Sequence, residues 1–135
     1  MNVVLDTNVV MSGLFFGGTP LKALEIVLFG RAKGFASPSI ISEYFEVFAR
    51  FSSFGKKAKK KPPIYALSLF VDSLTIVEDT HSVKACRDPD DDKYLDCAVN
   101  SKANFIVSGD KDLLVLRKYR GIKIVNARTF CEDID

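Results

Sequence analysis

Short apolar runs alternate along the chain with stretches whose apolar residues recur every three or four positions, a pattern that predicts strands interleaved with helices. Val3, Val4 and Leu5 form a run too short for a helix face and lacking polar alternation, so it reads as a strand buried on both sides. Lys33–Ala36, Leu74–Val77, Phe105–Val107 and Ile122–Val125 read as four more strands. Helical spacing fills the intervals. Thr19-Pro20 signals a helix start, with Leu21, Leu24, Val27 and Leu28 as its buried stripe and Gly30 as its end. Ser37-Pro38 repeats the signal, with Ile41, Tyr44, Phe45 and Phe48 turned inward. Ile64–Val71 forms a further helix through Leu67, Phe70 and Val71, and Ala127–Ile134 a last one. Residues 9–18 read as a short helix and a loop, and Phe51–Pro63 as a loop. Strands that alternate with helices predict one α/β domain over residues 1–135, a three-layer α/β/α sandwich around a mainly parallel sheet of about five strands.

Acidic residues fall at the carboxyl ends of these strands, where open α/β sheets place their ligands. Asp6 ends the first strand and leads into Thr7-Asn8; its alternative role is to cap a helix starting near Val9. Glu43 lies in the early turns of the helix after strand two, off the main apolar stripe, where the helix dipole alone could account for it. Residues 87–92, Arg-Asp-Pro-Asp-Asp-Asp, are the most acidic stretch. Asp90 is placed there as N-cap, and Asp92 as an upward extension of the face made by Leu95 and Val99. Asp91 is then expected to point elsewhere, and Asp96, a turn below Asp92 and deeper along the helix, ranks behind Asp92 as a functional acid. Gly109-Asp110-Lys111-Asp112 follows strand four.

Asp6, Glu43, Asp92 and Asp110 thus reach one level of the fold. Carboxylates gathered at one edge repel each other more as water is excluded, so the group implies a bound cation. An all-oxygen set suits Mg²⁺ or Mn²⁺ rather than zinc. Such ions polarise a phosphodiester and lower the pKa of an attacking water.

Cysteine and charge narrow the setting. Cys86, Cys97 and Cys131 are odd in number and have no CxxC spacing, which argues against a disulfide framework and a zinc knuckle. A single unpartnered histidine, His81, cannot build a histidine-activated nucleophile. No apolar run approaches the roughly 18 residues of a membrane span, and Met1 leads straight into a strand, so a soluble cytoplasmic protein without membrane contact is expected. Of the net charge of +2, five lysines, Lys56, Lys57, Lys59, Lys60 and Lys61, carry +5, leaving −3 for the remainder. That segregation points to a polyanion partner, against the alternative of a solvated loop.

Val3–Asn8, Ser37-Pro38 with Glu43, Asp88–Asp92 followed by Leu95 and Ala98, and Val107–Leu113 resemble the successive motifs of PIN-domain ribonucleases, in order and over nearly the whole chain. More narrowly they resemble prokaryotic PIN proteins classed as toxin components of toxin–antitoxin systems, relatives of VapC. The resemblance implies Mg²⁺- or Mn²⁺-dependent hydrolysis of single-stranded RNA to 5′-phosphate and 3′-hydroxyl ends, a homodimer, and inhibition by a cognate antitoxin. It maps the metal-binding and catalytic acids to Asp6, Glu43, Asp92 and Asp110. Asp112 is a further candidate in an outer position, and Asn8 and Ser108 are candidates for orienting a carboxylate or water. The lysine-dense Phe51–Pro63 departs from the family pattern; its lysines are candidate RNA contacts.

Two other classes fit parts of the pattern. Gly109–Asp112 is also similar to a metal motif of haloacid-dehalogenase-type phosphotransferases, but that chemistry needs a second aspartate two positions after the nucleophile, and position 8 is Asn. A receiver domain lacks its paired acid here. The remaining alternative is a PIN fold that binds RNA or an antitoxin without cleaving.

Overall fold

A computed structural model describes residues 1–53, 62 and 64–134. Among the described residues, seven helices and six strands follow in the order β1 (Asn2–Leu5), α1 (Thr7–Phe16), α2 (Gly18–Leu28), β2 (Lys33–Ala36), α3 (Pro38–Ser53), α4 (Ile64–Asp72), β3 (Thr75–Ile76), α5 (Asp92–Ser101), β4 (Phe105–Val107), α6 (Lys111–Leu114), β5 (Lys118–Tyr119), β6 (Ile122–Val125) and α7 (Ala127–Ile134). A 3₁₀ turn, Pro89–Asp91, precedes α5. The sheet runs β3-β2-β1-β4-β6-β5, parallel throughout except for the β5–β6 pair.

The core strands confirm the α/β expectation. Successive residues of a strand face opposite sides of the sheet, and Val3, Val4 and Leu5 are all buried, as are Phe105, Ile106 and Val107. Both faces of the sheet centre are therefore covered by helices. The sixth strand comes from residues 118–119, too short and too charged to register as a strand in the sequence; it pairs Lys118 opposite Lys123.

The buried faces of α2 and α3 depart from the sequence stripes. In α2, Leu24 and Val27 are buried as expected, but Leu21 and Leu28 are 37% and 41% exposed, and Ala23 and Ile26 take the inward positions. The reason is the junction with α1. Gly17 (φ +74°) is the single residue between the two helices, so α2 begins at Gly18 rather than at a cap formed by Thr19, and its entry angle follows from that turn. In α3 the inward residues are Ile40, Tyr44, Val47 and Phe48, and the helix continues through Ser53 where a loop was expected from Phe51. Asp79, rather than Ser37, caps α3: it accepts from the Ser39 N–H (2.9 Å) and the Ser39 hydroxyl (2.5 Å). At Gly34 of β2, a Cβ would lie 2.6 Å from both Val27 and Leu74, so α2 packs directly on the strand backbone. No single helix is long and apolar enough to cross a membrane among the described residues.

Strand order fixes where a ligand would bind. From β1 the chain moves outward to β2 and β3, then returns to place β4 on the other side of β1. The carboxyl ends of β1 and β4 thus flank the switch point, where diverging loops leave a crevice. Asp6 and Ser108 are the residues that follow those two strands.

Candidate metal centre

Asp6 is 3% exposed and has two tasks. One carboxylate oxygen accepts from the Val9 N–H (2.9 Å), capping α1, so the capping role weighed from sequence is real. The other accepts a hydrogen bond from the Ser108 hydroxyl. The same hydroxyl oxygen accepts from the Asp110 N–H at 2.9 Å, so Ser108 ties the β1 end to the β4 end. Two tyrosines hold the neighbouring backbone: Tyr44 donates to the Leu5 carbonyl (2.5 Å), and the Tyr94 oxygen accepts from the Thr7 N–H (3.2 Å) and bonds its hydroxyl (2.7 Å). Burial pushes the Asp6 carboxyl up to about 6 against the opposing pull of the Ser108 and Val9 hydrogen bonds; the charges of Asp110 and Glu43 add to the rise.

Asp110 caps α6 by accepting from the Asp112 N–H (2.8 Å). Carboxylate oxygens of Asp91, Asp110 and Asp112 all lie within 4.8 Å of one another. Asp91 is 8% exposed, and its Oδ2 is the buried side-chain polar atom left without a hydrogen-bond partner among the described residues. Burial first, and the neighbouring Asp110 second, raise its carboxyl above the usual range. Arg87 stands 3.8 Å from Asp112 at the rim. An unpartnered buried oxygen beside two more carboxylates has the donor chemistry of a hard divalent cation, for which oxygen ligands are preferred. The residues therefore fit such an ion: Asp91, Asp110 and Asp112 offer the ligand atoms, with Asp6 linked to them through Ser108.

This corrects the reading of residues 90–92. Asp92, expected in the site, turns its Oδ1 to the N–H groups of Ala85 (3.0 Å) and Cys86 (2.8 Å), and these bonds outweigh its burial to hold its carboxyl below the usual range. Asp91, expected to point elsewhere, takes the place in the site. Asp88, not Asp90, is the cap; it accepts from the Asp90 N–H (3.0 Å) and starts the 3₁₀ turn early. Asp91 thereby lies four residues before Leu95 and seven before Ala98, on the fully buried stripe, whereas Val99 is half-buried. That i, i+4, i+7 series was the available signal.

Glu43, on α3, is not one of the three converging carboxylates: its charge acts on Asp6, and it forms an ion pair with Lys93. Sequence reasoning did not single out Lys93. Asn8 is exposed on the first turn of α1. Lys56, Lys57, Lys59, Lys60 and Lys61 lie outside the described residues. Asp96 holds the strand-to-helix connection: it accepts from the N–H groups of Thr80 (2.9 Å) and Ser82 (3.2 Å) and from both hydroxyls. A cleft of about 520 Å³ is lined by His81, Lys84, Cys86, Asp90, Asp92 and Lys93, among others, and by none of Asp6, Glu43, Asp91, Asp110 and Asp112.

The chain matches the family model described as PIN domain over residues 2–112. Uncharacterized protein MJ1680 of Methanocaldococcus jannaschii is 32% identical over 149 aligned residues, covering 100% of this chain and 92% of the relative. Among solved structures, VapBC2 from Rickettsia felis bound to a DNA fragment from their promoter is similar with a TM-score of 0.61 at 13% identity, over 93% of this chain and 98% of that one. PAE2754 from Pyrobaculum aerophilum gives 0.61 at 13% identity, over 99% and 89%. The PIN domain endonuclease Utp24 gives 0.53 at 20% identity, over 91% and 82%. At these identities the structural likenesses speak to the fold, and the sheet order and the acids at its switch point agree with it. On the family match and the full-length relative together, the chain belongs to the PIN-domain family.

Proposed function

We propose that this PIN-domain protein is a ribonuclease that hydrolyses phosphodiester bonds of single-stranded RNA with Mg²⁺ or Mn²⁺, and that it is the toxin of a toxin–antitoxin pair, acting in the cytoplasm as a homodimer. The observation that carries the nuclease reading is the unpartnered Oδ2 of Asp91, buried against Asp110 and Asp112 at the sheet's switch point. Family membership supports the same chemistry, and the likeness to VapBC2 and to the endonuclease Utp24 supports the fold on which it is built. The VapBC complex also motivates the antitoxin partner.

In this reading the divalent ion supplies charge to stabilise the phosphorane-like transition state and acidity to the attacking water. The chain does the rest. Asp91, Asp110 and Asp112 would hold the ion, Ser108 keeps Asp6 tied to Asp110, and the Tyr94–Thr7 bond keeps the turn after β1 from shifting. The cleft with Lys84, Lys93 and His81 on its walls, joined to Glu43 through Lys93, is large enough for one nucleotide of the strand.

The test is incubation of the purified full chain with a mixed RNA pool in Mn²⁺, Mg²⁺ or EDTA, beside Asp91→Asn, Asp110→Asn and Asp92→Asn. Cleavage is expected with either ion, lost in EDTA and reduced at least 100-fold, about 2.7 kcal/mol of barrier, in the first two variants, while Asp92→Asn retains it. Equal cleavage by Asp91→Asn and wild type refutes the assigned site. RNA binding with no cleavage under any condition favours the non-cleaving PIN fold.

A further inference from the structure

We propose that Lys93 occupies, as a fixed ammonium, the position at Glu43 that a second divalent ion would need, so that the substrate-free centre takes one ion. The proposal rests on the metal-centre reading above and concerns how that centre is balanced.

Lys93 is held from three sides. Its Nζ forms the ion pair with Glu43, donates to the Asp90 carbonyl at 2.7 Å and lies 5.1 Å from the centroid of the Tyr94 ring. Tyr94 in turn is bonded to Thr7, the residue after Asp6, so the lysine is tied to the turn that follows Asp6. Side-chain exposures of 21% for Lys93 and 31% for Glu43 place the pair half inside the site, unlike the surface pair Arg128–Glu132.

Charge and geometry agree. Asp6, Glu43, Asp91, Asp110 and Asp112 bring up to five negative charges, and Lys93 and Arg87 bring two positive ones. One divalent ion leaves a single net negative charge; two would make the protein centre positive. Asp91, Asp110 and Asp112 converge on one another, whereas Glu43 stands on a separate element with a carboxylate oxygen already engaged by Lys93. A second ion would have to displace an ammonium that also loses its carbonyl and ring contacts.

The experiment is Mn²⁺ counting by electron paramagnetic resonance on the full chain stripped with EDTA, without RNA. Wild type is expected to bind one Mn²⁺ per chain, and Lys93→Met two, because Glu43 is released while the side-chain stem is kept. Lys93→Met combined with Glu43→Gln returns to one, and Lys93→Arg stays at one. If Lys93→Met does not give a cooperative melt by circular dichroism, Lys93→Gln serves as the neutral variant with the same expectation. Two ions in wild type, or one in the neutral variants, overturns the proposal. Two ions in wild type that are reduced by Asp110→Asn would leave the metal centre standing and remove only the role of Lys93; no Mn²⁺ bound in wild type would remove both.

Discussion

Burial of Asp6 makes a prediction opposite to the usual effect of altering a site residue. Its carboxyl ionises at about 6 in the fold against 3.8 for an ordinary aspartate, with burial as the leading cause. A group whose folded pKa is raised binds more protons folded than unfolded, so its contribution to stability falls as pH rises from about 4 through 6 and stays low above that. A shift of roughly 2 units corresponds to about 3 kcal/mol at most, at 1.36 kcal/mol per unit. Because Asp6 is almost wholly buried, solvent screening takes little from that figure. Asp6→Asn removes the charge yet keeps an oxygen to cap the Val9 N–H and a partner for Ser108. In EDTA at pH 8 the variant should be more stable than wild type by roughly 1–3 kcal/mol, a rise in Tm on the order of 3–10 °C. The gap should shrink as pH drops through 6 toward 4. Adding Mn²⁺ should raise the wild-type Tm more than that of the variant, since ion binding favours the folded state. Thermal melts followed by circular dichroism at several pH values read all three effects. A variant that melts at or below wild type at pH 8 in EDTA, or a difference that does not change with pH, would refute the claim that Asp6 is held ionised at a cost.

Three further outcomes follow from named contacts. Ser108→Ala removes the hydrogen bond that opposes burial at Asp6, so the Asp6 carboxyl should titrate above about 6, measurable by NMR of the carboxyl carbon. Asp96→Ala leaves the Thr80 and Ser82 N–H groups without their acceptor and should destabilise by about 3 kcal/mol in urea melts near neutral pH. Hydrogen bonds hold the Asp96 carboxyl below the usual range despite its burial, so its contribution is present above about pH 4, and the variant's deficit should narrow as pH falls below that. Gly34→Ala drives a methyl to 2.6 Å from Val27 and Leu74 and should cost roughly 1–3 kcal/mol, seen as a lower urea midpoint with an unchanged slope.

The sequence by itself determined the layered α/β fold, the positions along the chain of five of the six described strands, and the placement of Asp6 and Asp110 after two of them. Each of these depends on local rules: β-branched and aromatic runs form buried strands, and the residue after a strand in a parallel sheet stands at its carboxyl end wherever the strand lies. Tertiary structure decided what depends on phase and partner. One residue along a helix turns a side chain by about 100°, so a buried face running through Leu95 and Ala98 rather than Leu95 and Val99 is enough to exchange Asp91 for Asp92 in the site. The inward face of α2 was set by the Gly17 turn and by close packing on Gly34, neither of which leaves a mark in the periodicity of Leu21 and Leu28. The bond of Ser108 to Asp6 spans 102 residues, and the pairing of Lys93 with Glu43 joins α5 to α3. Such contacts exist only once the sheet has brought distant segments together, and they decide which acids face a shared ion and which only hold a loop.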